Sequence, residues 1–228
     1  MRIYPLFFLL LLLTMSGCQS MARDRSQSVA IDALLQLSWA HLHAGRHQAA
    51  LPLLDHAEQL APWDVRVRTA RAEWYRQRGD LDEAVAMYRA YWPEDAAMAL
   101  AFGQWLADQS SDQDLELAVR VLSRAVDQTG YSGQAEALLW RGRVNRRLGH
   151  WKMATEDLKR ALALDPWAEQ SASELMAVYL DQGHSDQARA LLSEWQTERP
   201  DDPAILQMRL AWAAYLERMR RINPRFGS

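Results

Sequence analysis

Arg141, Arg143, Arg146 and Arg147 crowd one short stretch, Lys152 follows, and no acid falls between Leu138 and Ala154. A guanidinium presents a planar fork of donors that matches a carboxylate. The chemistry on offer is therefore capture of an acidic segment or a free C-terminus. A second reading of the same residues is a solvated helix face, paired with Glu136 or with the acids between Asp108 and Glu116. Histidines 41, 43, 47 and 56 form another cluster and raise metal binding. Gly45 breaks the helical spacing between His43 and His47, and no cysteine or carboxylate completes a tetrahedral zinc set, so a surface or turn role is expected and no metal. Ser38, Ser123 and Ser173 lie inside helical patterns with no elbow-like turn, and no glycine loop could cradle a phosphate. Neither enzyme chemistry nor a cofactor is expected.

The elements that position these residues recur. Alanine returns at Ala50, Ala84, Ala118, Ala154 and Ala188, with separations of 34, 34, 36 and 34. Glycine stands five residues before four of them, at Gly45, Gly79, Gly149 and Gly183. Leu54, Tyr88, Leu122, Leu158 and Leu192 follow each alanine by four. A period of this length marks stacked supersecondary modules, each unable to bury its apolar face alone. Within 135–168 the pattern predicts one helix over Ala135–Leu148 carrying Leu138, Gly142 and Asn145, a turn at Gly149, and a second helix over Met153–Leu164 with Ala154, Leu158 and Ala161 on one stripe. Asp165-Pro166 ends it.

At the front, Arg2 precedes an apolar run from Ile3 to Leu13, then Met15-Ser16-Gly17-Cys18. Such a run is too short to span about 30 Å of hydrocarbon as a helix and reads as a cleaved export signal over 1–17. The tetrapeptide resembles the lipobox of bacterial lipoproteins, with Met15 where leucine is expected. That resemblance implies that Cys18 becomes the lipidated first residue and, through Gln19 in place of aspartate, that the destination is the outer membrane at its periplasmic face; the short polar stretch after it, interrupted by Arg23, Asp24 and Arg25, makes 18–28 a flexible tether. Cys18 is the single cysteine, so no disulfide is expected. The formal net charge of −3 gives no reason to expect nucleic acid.

The repeat resembles the tetratricopeptide repeat family. The resemblance implies an all-α, right-handed superhelical array of about five helix-turn-helix repeats over 29–202: 31–64, 65–98, an irregular 99–134, 135–168 and 169–202. The third departs in lacking the turn glycine, with Gln113 in its place, although helices over Ala96–Asp108 and Leu115–Asp127 are expected. A capping helix over Pro203–Ile222, with Leu206, Leu210 and Ala213 on its apolar side, and a tail over 223–228 complete the chain.

In the family, the first helix of each repeat lines a concave groove through its second, fifth, ninth, twelfth and thirteenth positions. Carried over, these include Trp39, Arg66, Glu73, Arg76, Arg143, Arg146 and Arg147, giving an arginine-rich middle. Trp39 reads either as a binding anchor or as cover for an exposed end. Trp63 and Trp167 are expected to pack between repeats. The lysine and asparagine pattern of the family's carboxylate clamps is not reproduced. The resemblances together imply a lipid-anchored adaptor that holds an envelope protein or peptide segment, in the manner of pilotins of type IV pilus secretins or of secretion and cell-wall adaptors. A binder of small anionic or wall-derived ligands is the alternative.

Overall fold

A computed structural model describes residues 25–109 and 111–222. The signal segment, Cys18, most of the tether and the 223–228 tail lie outside the described residues. Eleven helices follow in order: α1 (25–43), α2 (His47–Leu60), α3 (Val65–Arg78), α4 (Leu81–Tyr91), α5 (Ala96–Ala107), α6 (Asp112–Asp127), α7 (Gln134–Arg147), α8 (Trp151–Leu164), α9 (Glu169–Asp181), α10 (Ser185–Glu198) and α11 (Pro203–Ile222). No described residue is in a strand. The chain divides into two compact bodies, 1–87 and 88–228, with the division inside α4.

The helix ends follow from the residues that bracket them. Asp64, Asp95 and Ser111 accept backbone N–H groups from the first turns of α3, α5 and α6, and Asp202 does the same at Ala204 of α11. Each supplies an acceptor for donors the helix cannot satisfy itself. Gly45, Gly79, Gly149 and Gly183, the turn glycines of the period, all have positive φ between +68° and +87°, where a side chain would be strained.

In the first body, α1, α2 and α3 share a core of Ile31, Leu35, Leu42, Ala50, Leu54, Ala57, Val67, Ala70 and Trp74. α1 is already helical at residue 25, so 25–28, expected as tether, belongs to the fold. Gln27 Nε2 donates to the Leu60 carbonyl at the end of α2, which holds the start of α1 beside the α2–α3 turn.

In the second body each helix packs on the next, and the first helices α5, α7, α9 and α11 also touch one another in sequence. The backbones of the second helices α6, α8 and α10 stay apart. The first helices therefore form the inner side of this stack. The closest approach within a repeat is a small residue under a leucine: a Cβ at Gly142 would lie 2.8 Å from Leu158 Cγ, and one at Gly103 2.4 Å from Leu122 Cγ. That equivalence assigns the irregular repeat's register. Gly103 takes the eighth position held by Gly142, so the repeat begins at Ala96; three of its extra residues lie between that glycine and its leucine partner, and two more lie between Leu122 and Ala135.

Several expectations need correction. Gln113 is not a turn residue, because α6 already starts at Asp112 under a Ser111 cap. α8 starts at Trp151, two residues earlier than expected. Trp63 and Trp167 are not buried between repeats: they are 83% and 50% exposed, and each meets the following repeat through an arginine over its ring, Arg68 and Arg199 at 5.3 and 5.1 Å. α11 buries Ala204, Ile205, Met208 and Tyr215, whereas Leu206 and Leu210 face outward at 64% and 62% exposure, as does Ala213.

Gly103→Val forces the new side chain into Leu122. The expected loss is about 1–3 kcal/mol of unfolding free energy, partly recovered by Leu122→Ala, and urea unfolding of both variants checks it.

Candidate functional site

The expected groove residues fall in both bodies. In the first, Trp39 is half-buried on the α1–α3 core and stacks on His43 with centroids 5.8 Å apart. Arg66 reaches back one repeat to Asp32 at 2.6 Å and also holds Asp64 at 2.6 Å. Its hydrogen bonds to Asp64 keep that carboxyl below the ordinary 3.8, and the two acids raise the guanidinium further above its already high value. Arg76 and Gln77 both donate to Glu73.

In the second body the arginine cluster is knitted into its neighbours. Arg143 Nε donates to Glu174 at 2.7 Å, and Arg146 spans Glu174 at 3.1 Å and Asp181 at 3.0 Å. Arg147 turns the other way, to the carbonyls of Ala107 and Gln109, while Gln104 donates to Glu136 at 2.7 Å. Arg143 also lies 4.5 Å from the centre of the Trp140 ring. The cations thus pair from one first helix to the next, and not with the acids at 108–116. Glu174 escaped the sequence reading because it occupies a sixth position, which is not among the family's groove positions. The available signal was opposite charge at close to one repeat's separation, seen in Arg143 with Glu174 and in Asp32 with Arg66.

Arg141 does something different. It leaves the groove side and makes a two-pronged contact with Asp157 at 2.9 and 2.6 Å, with a third hydrogen bond to Ser123 Oγ at 2.9 Å. Asn145 adds a 3.3 Å contact to Asp157. Arg141 and Asp157 are largely buried, which clips α7 to α8 and to the preceding α6.

Along the row of first helices, α9 and α11 leave a cleft of about 270 Å³, floored by Ala177, Ala211 and Ala214 and edged by Asp181, Tyr215 and Arg218. Small side chains there leave room for a partner's side chain, with one charge of each sign at the rim. Among the described residues no group of three or more histidine, cysteine, aspartate or glutamate side chains is placed to hold a metal. No helix among them is long and apolar enough to cross a membrane.

Two tetratricopeptide repeat models match, over residues 104–224 and 41–101. The chain is a tetratricopeptide repeat protein. Among solved structures it is similar to PilF of Pseudomonas aeruginosa, at 20% identity and a TM-score of 0.65 over 89% of this chain and 95% of that one. PilW, described as a widely conserved type IV pilus biogenesis factor, is similar at 18% identity and a TM-score of 0.63 over 86% and 95%. TTC0263, a thermophilic repeat protein of Thermus thermophilus, is similar at 26% identity and a TM-score of 0.58 over 82% and 99%. No curated protein sequence matches. At these identities the structural likenesses speak to the fold, which is that of scaffolds for protein–protein contact.

Removing Asp157 alone leaves the Arg141 charge buried without its partner. Asp157→Ala is expected to cost about 3–5 kcal/mol, whereas the Arg141→Met/Asp157→Leu pair costs far less, which chemical denaturation of both resolves. The Asp64 carboxyl titrates lower in the folded protein than unfolded. Its stabilisation is complete above the unfolded value and disappears as pH falls through the lowered one. Thermal unfolding between about pH 6 and about pH 2 should show that acid-limb component in the wild type and not in Asp64→Asn.

Proposed function

We propose that this protein is a lipid-anchored adaptor at the periplasmic face of the outer membrane, holding a segment of an envelope protein along its first-helix face. The observation that carries the groove reading is the cleft between α9 and α11, where an alanine floor lies open beside Asp181 and Arg218. A partner's apolar side chain would enter the cleft while its charges meet the rim, the usual division between anchor and orienting contacts at an interface. Arg143 and Arg146, although paired, keep part of their surface exposed. A partner carboxylate would there share donors already held in place by Glu174 and Asp181.

The lipobox-like Met15-Ser16-Gly17-Cys18 supports the anchor. Similarity to PilF and PilW along nearly the whole of both chains supports service in assembling a pilus, secretion or other envelope machine. A lipid would raise the adaptor's local concentration at the membrane and so its avidity for a partner fixed there. The alternative, a binder of small anionic ligands, gains nothing from Arg141. That cation faces a cavity of about 280 Å³ between α6, α7 and α8, but Asp157 already neutralises it.

Affinity purification from solubilised envelope tests the reading. Wild-type protein is expected to retain one envelope partner that Ala214→Arg, which fills the cleft, and Arg143→Glu/Arg146→Glu each lose while still folding by circular dichroism. Retention by both variants would remove the groove from consideration. Labelled fatty acid is expected to be incorporated by the wild type and not by Cys18→Ser, and absence of label from the wild type would count against the lipid anchor.

A further inference from the structure

α11 holds the place of a first helix, and no second helix lies on it among the described residues. Pro203 stands one repeat after Glu169, so the positions of α7 and α9 can be carried along α11 residue by residue. In α7 the fourth, eighth and eleventh positions are Leu138, Gly142 and Asn145, all buried, and Leu158 and Asp157 of α8 cover them. In α9 the same positions are Ala172, Met176 and Tyr179, buried in one cluster with Ala188, Leu192 and Trp195 of α10. In α11 they are Leu206, Leu210 and Ala213, the outward stripe that no described helix covers. The face of α11 that packs onto α9 and α10 is complete through Ile205, Met208 and Tyr215. By register the exposed stripe is the seat of a second helix, and among the described residues it is left as an open apolar surface.

The seventh position adds charge. In α7 it is Arg141, bound at 2.6 Å by Asp157, which stands one residue before Leu158 in the covering helix. In α11 it is Arg209, which is exposed. Whatever helix lies on α11 must accordingly offer an acid next to its central leucine, with small residues four before and three after that leucine, as Ala154, Asp157, Leu158 and Ala161 do in α8.

We propose that the outward face of α11 docks one acidic amphipathic helix of a partner protein, which takes the place of the second helix of a sixth repeat. This surface is separate from the groove and does not depend on it. The mode is helix completion: one partner stripe covers Leu206, Leu210 and Ala213, and one carboxylate meets Arg209.

The α8 sequence, Trp151–Leu164, is the probe, since it already covers a first helix with arginine at this position. Appended to the full chain through a short Gly/Ser linker, it acts at an effective concentration of roughly 1 mM. For an affinity of about 100 μM, amide exchange in α11 slows about tenfold relative to the unfused chain. Leu206→Glu/Leu210→Glu in α11 is expected to abolish that protection. Arg209→Asp weakens it, and an arginine in the appended helix at the place of Asp157 restores it. Exchange unchanged by the fusion, or protection that survives Leu206→Glu/Leu210→Glu, would overturn the proposal. So would concentration-dependent dimerisation of the unfused chain that Leu210→Glu abolishes, because the occupant would then be a second copy.

Discussion

The contact from which the second body is built is a leucine from the second helix seated on a glycine of the first, in the two repeats formed by α5–α6 and α7–α8. Leu158 on Gly142 and Leu122 on Gly103 bring two backbones closer than any larger residue would permit. Close packing in a protein interior makes such spacing hard to vary. Once the pair is set, the turn between its helices must reverse quickly; left-handed Gly149 does so between α7 and α8, and the α5–α6 turn does so without a glycine, under the Ser111 cap. The next first helix then has one place to go, against both members of the preceding pair. The row of first helices in the second body is a consequence of this repeated contact.

Charge is used in two ways on that frame. Arg141 and Asp157 are buried together, and their forked contact fixes which turn of α8 lies over which turn of α7. Arg143 and Arg146 instead run from α7 to α9 at the surface, through Glu174 and Asp181. The first arrangement specifies register within a repeat and the second couples neighbouring repeats. These partly buried pairs hold the side chains in place between neighbouring repeats, while the apolar contacts carry most of the stability.

The fold was legible because it is periodic. Ala154, Leu158 and Gly149 recur at fixed offsets, and every such residue is demanded by the same packing problem. The third repeat was harder because its start at Ala96 comes three residues early and offsets the three extra residues between Gly103 and Leu122, so the alanine spacing stays at 34 there and shows only the two that follow Leu122. α11 was misjudged for a different reason. Both of its long sides are apolar, so periodicity alone could not say which one packs, and only the register inherited from α9 assigns Ile205 and Met208 to the core. The arginines are adjacent in sequence but diverge in space: Arg143 and Arg146 share Glu174, Arg141 goes to Asp157 and Arg147 to the Ala107 and Gln109 carbonyls. Their partners were not legible, since Glu174 is remote in sequence and acquires meaning only when two first helices lie side by side. The exposed tryptophans at 63 and 167 show the limit of composition: large aromatics suggested burial, but each found an arginine over its ring in solvent.

The lateral pairing of Arg143 and Arg146 has a kinetic consequence. A free arginine cluster would cast a field beyond the surface and draw in acidic partners at rates that fall steeply with salt. Here each guanidinium is compensated within about 3 Å, so the field closes on itself and reaches only a molecule already in contact. Encounter is then left to diffusion and to whatever holds the two proteins nearby. Discrimination between partners falls to how long a fitted segment stays.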